Sequence, residues 1–479
     1  MKALLRRPWF WVSLCLVILA GVGWSYLDAW LGEREWQAYV ASARARGVKV
    51  FPSDVVLPAL PDEENAAAMP LWMMARQSPQ TFEQNFPALT EVWYPRLSSE
   101  KQRPQLATWR QKLLQKNWLP PGDTGGSDAE AVLRALQCYA PLFAELRAAA
   151  LRPAAQLPVN WEGAFYDPDP NFGPGWRMRD PLILKFECHL ALGQGAEALA
   201  DWKDVVTVAR LMAGSPTLWG CLETALYRQS AAMLLAEALE DHLWSADQIG
   251  EVEVILASWH PFAELQTAYA VDRAYVTHLV EKAAVDKDIG PYIGEVREWN
   301  LTELGNIPTR AAFQLQACRS RWWRTAQIEL NQDYDDLARY WEADGLPCLA
   351  ADLSSHAFFK SHVPGPLQLI SCRDFSCYPK QSLKSLATIR MAQTACALAR
   401  FQQARGRYPA QLSELAPAFI PALPVDPCTG KALCYRLQSP GHYLLYSAGL
   451  NQQDEGGDPG DPHAGDSPDW LWLVRPPAP

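Results

Sequence analysis

Most marks of a catalytic protein are missing from this chain. It has no phosphate-binding glycine loop, no nucleophile elbow and no zinc-protease helix. Gly430-Lys431 lacks the glycine five residues earlier that a phosphate loop requires. Histidine is sparse, with 8 in 479 residues, and no two stand at helical spacing to grip a metal together. Positive charge is short too. Lys and Arg number 43 against 53 Asp and Glu, the net charge is −10, and no basic stripe forms. That excludes nucleic-acid binding, which rests on clustered Lys and Arg. The composition, 49% hydrophobic and 20% charged, excludes a disordered chain. The length exceeds what one hydrophobic core usually holds, so two or more units are expected. Twenty-one Trp favour large, rigid packing surfaces.

Only one long apolar run is present. Lys2, Arg6 and Arg7 precede an uncharged stretch from Pro8 to Leu27. About 20 apolar residues match the hydrocarbon thickness of a bilayer. Trp9, Trp11, Trp24 and Tyr26 lie near its two ends, where aromatic rings prefer the interface. Asp28, Glu33 and Glu35 follow it, so the body is expected outside the cytoplasm. A cleaved signal peptide is the rival, but the run is long and its small-residue site, Gly21-Val22-Gly23, is poor. The reading is a stub at 1–8 and an uncleaved anchor at 9–27.

An oxidising compartment makes disulfides expected among the 11 Cys. Local candidates are Cys428 with Cys434, flanking a Thr-Gly-Lys turn, and Cys372 with Cys377. Cys188 and Cys221 read instead as buried thiols in helices.

Residues 28–127 read as a linker with short helices, beginning with a continuation of the anchor that places Trp30, Trp36 and Val40 on similar sides. A helical domain is expected over 128–342. Ser127 to Glu130 is a capping box, followed by a stripe of Ala129, Val132, Leu133, Leu136, Ala140, Phe143 and Leu146. Further helices are expected at 178–192, 195–213, 216–242, 246–258 and 262–285. Their short connections imply a bundle or short α-solenoid. Residues 343–380 read as a Cys-containing linker. A helix restarts near Gln381, with Leu383, Ala387, Met391, Ala395, Leu398 and Phe401 in its stripe, and Gly406 closes it. The fold class is therefore mainly α, with a small α+β module at 381–479 containing an antiparallel sheet.

Three polar groups are weighed against plainer readings. Asp167, Asp169 and Asn171 alternate like an EF-hand opening, but Gly173 falls one place late and Met178 holds the twelfth position. A surface loop is the favoured account. Asp272, Tyr275, His278 and Glu281 could do acid–base work in a cleft, as an envelope hydrolase would require. A satisfied helix face is preferred. Cys372 and Cys377 would need His356 and His362 to bind zinc, and a disulfide is preferred.

The terminal loop is different. Asn451, Asp454, Glu455, Asp458, Asp461, Asp466 and Asp469 lie among glycines and prolines, and this tail holds half of the net negative charge. Hard oxygen ligands on flexible backbone suit Ca²⁺, and charges so dense are costly without a cation.

Residues 385–474 resemble the periplasmic part of the major pseudopilin of type II secretion. Gly406-Arg407-Tyr408-Pro409, Leu423-Pro424-Val425-Asp426-Pro427, Gly430-Lys431, Tyr435 and Tyr446-Ser447-Ala448-Gly449 carry the likeness. Gly456-Gly457 and Asp466 to Trp470 complete it. The resemblance implies a helix packed on a small sheet and a calcium loop ligated by Asn451, Asp466 and Asp469. Asp454 is added from this loop's own composition. The family usually has Asp at the place of Asn451 and a closer acid pair near 466–469. The family's processing site before the membrane helix is missing here, and roughly 350 residues intervene, so fibre assembly does not follow. The helical body looks like uncharacterised bacterial envelope proteins.

The resulting expectation is a single-pass inner-membrane protein with its body in the periplasm or cell exterior. It would bind or assemble with a protein partner and hold Ca²⁺ in its terminal module. The alternatives are an envelope hydrolase with its site in the helical body near 160–176 and 272–281, and an accessory of a secretion or pilus-like system.

Overall fold

The computed structural model describes residues 8–87, 89, 105–119, 125–162, 173–286, 320–341, 345–355, 376–439, 442–460 and 468–472. Helix α1 (Pro8–Ala45) is continuous and changes character along its length. Its apolar half is long and apolar enough to cross a membrane, with a window of mean hydropathy 1.7 that is only 6% buried. Its second half is a docking helix. Trp36, Val40 and Ala43, spaced four and three apart, share one face and are buried with Val50. Trp30, expected on that face, is 56% exposed. Six residues turn a helix by about 240°, which carries Trp30 to the far side.

The short helices α2 (Pro52–Val55), α3 (Pro70–Gln77) and α4 (Pro79–Asn85) each start on proline, whose missing N–H costs nothing in a first turn. They are followed by α5 (Leu106–Gln115). Behind the Ser127 capping box, which forms as expected, the stripe does not make one helix. It makes α6 (Asp128–Ala135), a 3₁₀ turn, and α7 (Ala140–Ala150). Pro141 is the reason: it cannot donate to the Gln137 carbonyl, and its ring crowds that group. Ala140 is consequently exposed, and Tyr139 and Leu142 enter the core.

The body is built from α8 (Gly173–Ala191), α9 (Gly195–Ala213), α10 (Leu218–Glu240), α11 (Ala246–Ala257) and α12 (Pro261–Asp286). After them come α13 (Ser320–Leu337) and α14 (Gly345–Ser354). The last helix is α15 (Cys377–Arg405). Successive helices α8, α9 and α10 pack as neighbours, α10 also packs on α15, and α12 packs on α13. Helix α10 is buried almost all round, which makes it the central helix. Two boundaries differ from expectation: α14 lies inside the stretch read as linker, and the restart comes at Cys377. The stripe from Leu383 to Phe401 is buried, and Gly406 takes the left-handed conformation (φ 70°) that ends the helix.

Beyond α15 the strands β1 (Cys434–Ser439), β2 (His442–Ser447) and β3 (Trp470–Leu471) form an antiparallel sheet in the order β1-β2-β3. One buried cluster runs from Ala66 through α10 and α15 to Leu445, Trp470 and Trp472. The sheet and the helical body therefore share a core.

Candidate functional site

The terminal loop hangs between β2 and β3, and a buried carboxylate fixes its root. Asp426 is 1% exposed. Its Oδ1 accepts from the Cys428 N–H (2.9 Å) and the Ser447 hydroxyl (2.8 Å), and its Oδ2 accepts from the Ala448 N–H (3.0 Å). This joins the Asp426-Pro427 turn to the Tyr446–Gly449 segment, so two sequence motifs are halves of one clamp. Sequence reasoning gave Asp426 no role. The available signal was an Asp-Pro dipeptide ahead of Thr429-Gly430, a turn whose buried N–H groups need an acceptor.

The loop's acids divide among several tasks. Asp454 accepts from the Tyr446 hydroxyl (2.6 Å) and the Gly456 N–H (2.9 Å), and these bonds hold its carboxyl below the usual range. Asn451 donates to Glu455 (2.6 Å) and accepts from the Gln453 N–H (3.1 Å) on an exposed rim. Gln452, with φ of 60°, donates to the carbonyls of Pro347 (2.6 Å) and Cys428 (2.7 Å), tying the loop to α14.

Asp469 is the centre. It is 1% exposed, and its Oδ2 accepts from the N–H groups of Gly457 (2.8 Å) and Asp458 (3.1 Å). Gly457 sits at φ of 85°, where a side chain would be strained, and an added Cβ would lie 2.6 Å from Leu444. The other oxygen, Oδ1, is buried with no hydrogen-bond partner among the described residues. Burial is the main force lifting the Asp469 carboxyl to about 6, with the Glu455 and Asp454 charges adding to it.

Of the four expected ligands, then, Asp454 and Asp469 face one electrostatic neighbourhood, Asn451 sits on the rim, and Asp466 lies outside the described residues. Among the described residues no three His, Cys, Asp or Glu side chains converge to hold a metal. The fit to a cation rests on the Asp469 Oδ1 atom and on the hard-oxygen chemistry around it, with Glu455 among the nearby loop acids.

The expected Cys428–Cys434 disulfide is not formed, and both thiols are free. Cys428 is buried in the turn below Asp426, whereas Cys434 begins β1 opposite Tyr446, so the two belong to different parts of the hairpin. Cys372, His356, His362 and the Asp167–Asn171 group lie outside the described residues. The acid–base set on α12 does not converge. Asp272 accepts from the Tyr334 hydroxyl (2.5 Å), His278 faces Glu162 (3.8 Å), and Glu281 pairs with Arg324 (3.5 Å).

Comparison of the chain with protein-family models, with curated proteins and with solved structures finds no match.

Proposed function

We propose that the chain is a single-pass, membrane-anchored binding or assembly protein whose body faces the periplasm and whose pseudopilin-like terminal module holds Ca²⁺. The buried Asp469 Oδ1, without a hydrogen-bond partner among the described residues, carries the metal reading. A buried carboxylate oxygen without a donor costs free energy, and a cation supplies what it lacks. Asp469, Asp454 and Asn451, with Asp466 from the neighbouring segment, would hold the ion. Bound there, Ca²⁺ would stiffen the loop between β2 and β3.

Anchoring is supported by the apolar half of α1, whose side chains have little else to pack against. The basic residues before it and the acidic ones after it favour the outward orientation. Asp272, His278 and Glu281 each meet a different partner and so form no single acid–base set, while most of the 160–176 segment that the hydrolase reading also needs lies outside the described residues.

Calorimetric titration of the detergent-solubilised chain with Ca²⁺ tests the metal claim. A saturable heat is expected, and none at millimolar Ca²⁺ would sink it. Protease added outside spheroplasts should digest the body and spare the N-terminal stub.

A further inference from the structure

A second polar constellation lies far from the terminal loop, where α7, α8 and α9 meet. A cleft of about 290 Å³ opens there, lined by Leu136 and Phe143 together with Arg147, Lys185 and His189. Behind these three side chains sit two carboxylates, Asp201 (0% exposed) and Asp204 (2%). Asp201 accepts from the Lys185 ammonium through Oδ1 and meets His189 Nδ1 at 2.5 Å through Oδ2. Arg147 Nε donates to Asp204 Oδ2 at 3.3 Å, and its Nη2 is 4.0 Å from Asp201. The Lys185 ammonium also lies 4.9 Å from the centre of the Phe143 ring.

The order of charges in this stack decides what it can take. The carboxylates are at the back and wholly covered, so a molecule entering the cleft meets donors first. His189 meets Asp201 through Nδ1, so its other ring nitrogen is not spent on that carboxylate. A guanidinium has five N–H donors in a planar fork, and one of those on Arg147 is spent on Asp204. The Arg147 side chain is 55% exposed, so the rest of its fork can reach a ligand. The two permanent cations are matched by the two carboxylates, so a dianionic phosphate would meet no excess positive charge, and a monoanion that shares the exposed Arg147 fork fits better. The volume sits at the lower end of the small-molecule range, ~300–1,000 Å³. The apolar wall of Leu136 and Phe143 suits an alkyl or aliphatic side chain.

We propose that this cleft binds a small organic carboxylate bearing an apolar chain, with Arg147 and Lys185 on the carboxylate and Phe143 and Leu136 along the chain. The same chemistry is offered by a free short-chain acid and by a peptide ending in an aliphatic residue with a free C-terminus. The inference gives the binding role proposed above a ligand class and is independent of the calcium reading.

The test is titration of the full chain in detergent, in EGTA so that calcium plays no part. The probes are hexanoate, hexanamide, inorganic phosphate and a leucine-terminated tetrapeptide with free or amidated carboxyl. Either hexanoate or the free-carboxyl peptide should bind saturably, and whichever is at least tenfold tighter names the source. Hexanamide, the amidated peptide and phosphate should not bind. Arg147→Gln should weaken binding at least tenfold, the scale of a lost charge-assisted pair. Ala144→Trp, at an exposed position on the cleft wall, should abolish binding by filling the space while leaving the ligand-free melt within a few degrees of wild type. The proposal is overturned if neither carboxylate binds, if the amides or phosphate bind as well, or if both variants bind like wild type.

Discussion

At the scale of residues, the molecule invests in buried acids, and each has a readable consequence. Asp426 accepts three hydrogen bonds in a site with no water access, so Asp426→Ala strands three donors at once. At about 1–3 kcal/mol per unsatisfied buried group, the loss should be about 3 kcal/mol or more, measured as a drop in urea midpoint. Glu223 on α10 is 4% exposed, and its Oε2 has no partner among the described residues. Burial lifts its carboxyl from 4.5 to about 7, while the nearby Arg179 opposes the shift. The folded state therefore holds this proton where the unfolded chain has lost it. Its contribution to stability is fully present below about pH 4.5 and is lost as the pH rises towards about 7. Glu223→Gln should flatten that decline and exceed wild type at pH 8 by up to about 3 kcal/mol, at ~1.4 kcal/mol per pH unit. Urea titrations at pH 5 and pH 8 measure it. Equal slopes in the two proteins would contradict it.

At the scale of elements, the joint between α1 and α13 leaves little room for change. Gly32 on α1 lies against α13 so closely that an added Cβ would stand 2.6 Å from the Arg321 Cα. Around that contact Arg321 pairs with Glu35, Arg324 with Glu33 (2.9 Å) and Arg46 with Asp335 (2.8 Å). These pairs are mostly exposed and contribute about 0–1 kcal/mol each, whereas overpacking a closed contact costs about 1–3 kcal/mol. Gly32→Val should thus loosen α1 from α13 more than Glu33→Gln does. Limited proteolysis near residues 46–50 should show faster cutting in the first variant only.

The helices were legible in the sequence because capping boxes and apolar stripes act locally. Ser127 with Glu130 and Ser245 with Gln248 both cap as their spacing predicts. The break at Pro141 was readable from one residue but was masked by a stripe that continues across it. The His189–Asp201 contact was not readable, because it joins two helices and depends on their rotation about each other. Likewise Asp469 could be named from composition, yet the isolation of one of its oxygens belongs to the packing of Gly457 and β3.

At the scale of the whole molecule, the terminal sheet belongs to the same core as the helical body. Helix α15 carries the sheet on one side and packs against α10, α11 and α12 on another. Gln403 donates to the Trp244 carbonyl (2.8 Å), and Gln452 reaches Pro347. A fragment of residues 377–479 would expose Leu383, Ala387, Met391 and Leu398, so it should lack a cooperative melt by circular dichroism. A sharp transition in that fragment would contradict the shared core. For the same reason, an ion held by Asp469 would stabilise the whole chain and not the loop alone, because binding to the folded state adds to the stability of its entire cooperative unit.

The most direct measurement is the melting temperature of the full detergent-solubilised chain in EGTA and in Ca²⁺, for wild type and for Asp469→Asn. Calcium at about 100 times its dissociation constant adds about 2.7 kcal/mol, which should raise the wild-type melt by several degrees. Asp469→Asn should melt at the same temperature in both solutions. A wild-type melt indifferent to Ca²⁺, or an Asp469→Asn protein that still responds, would contradict the account.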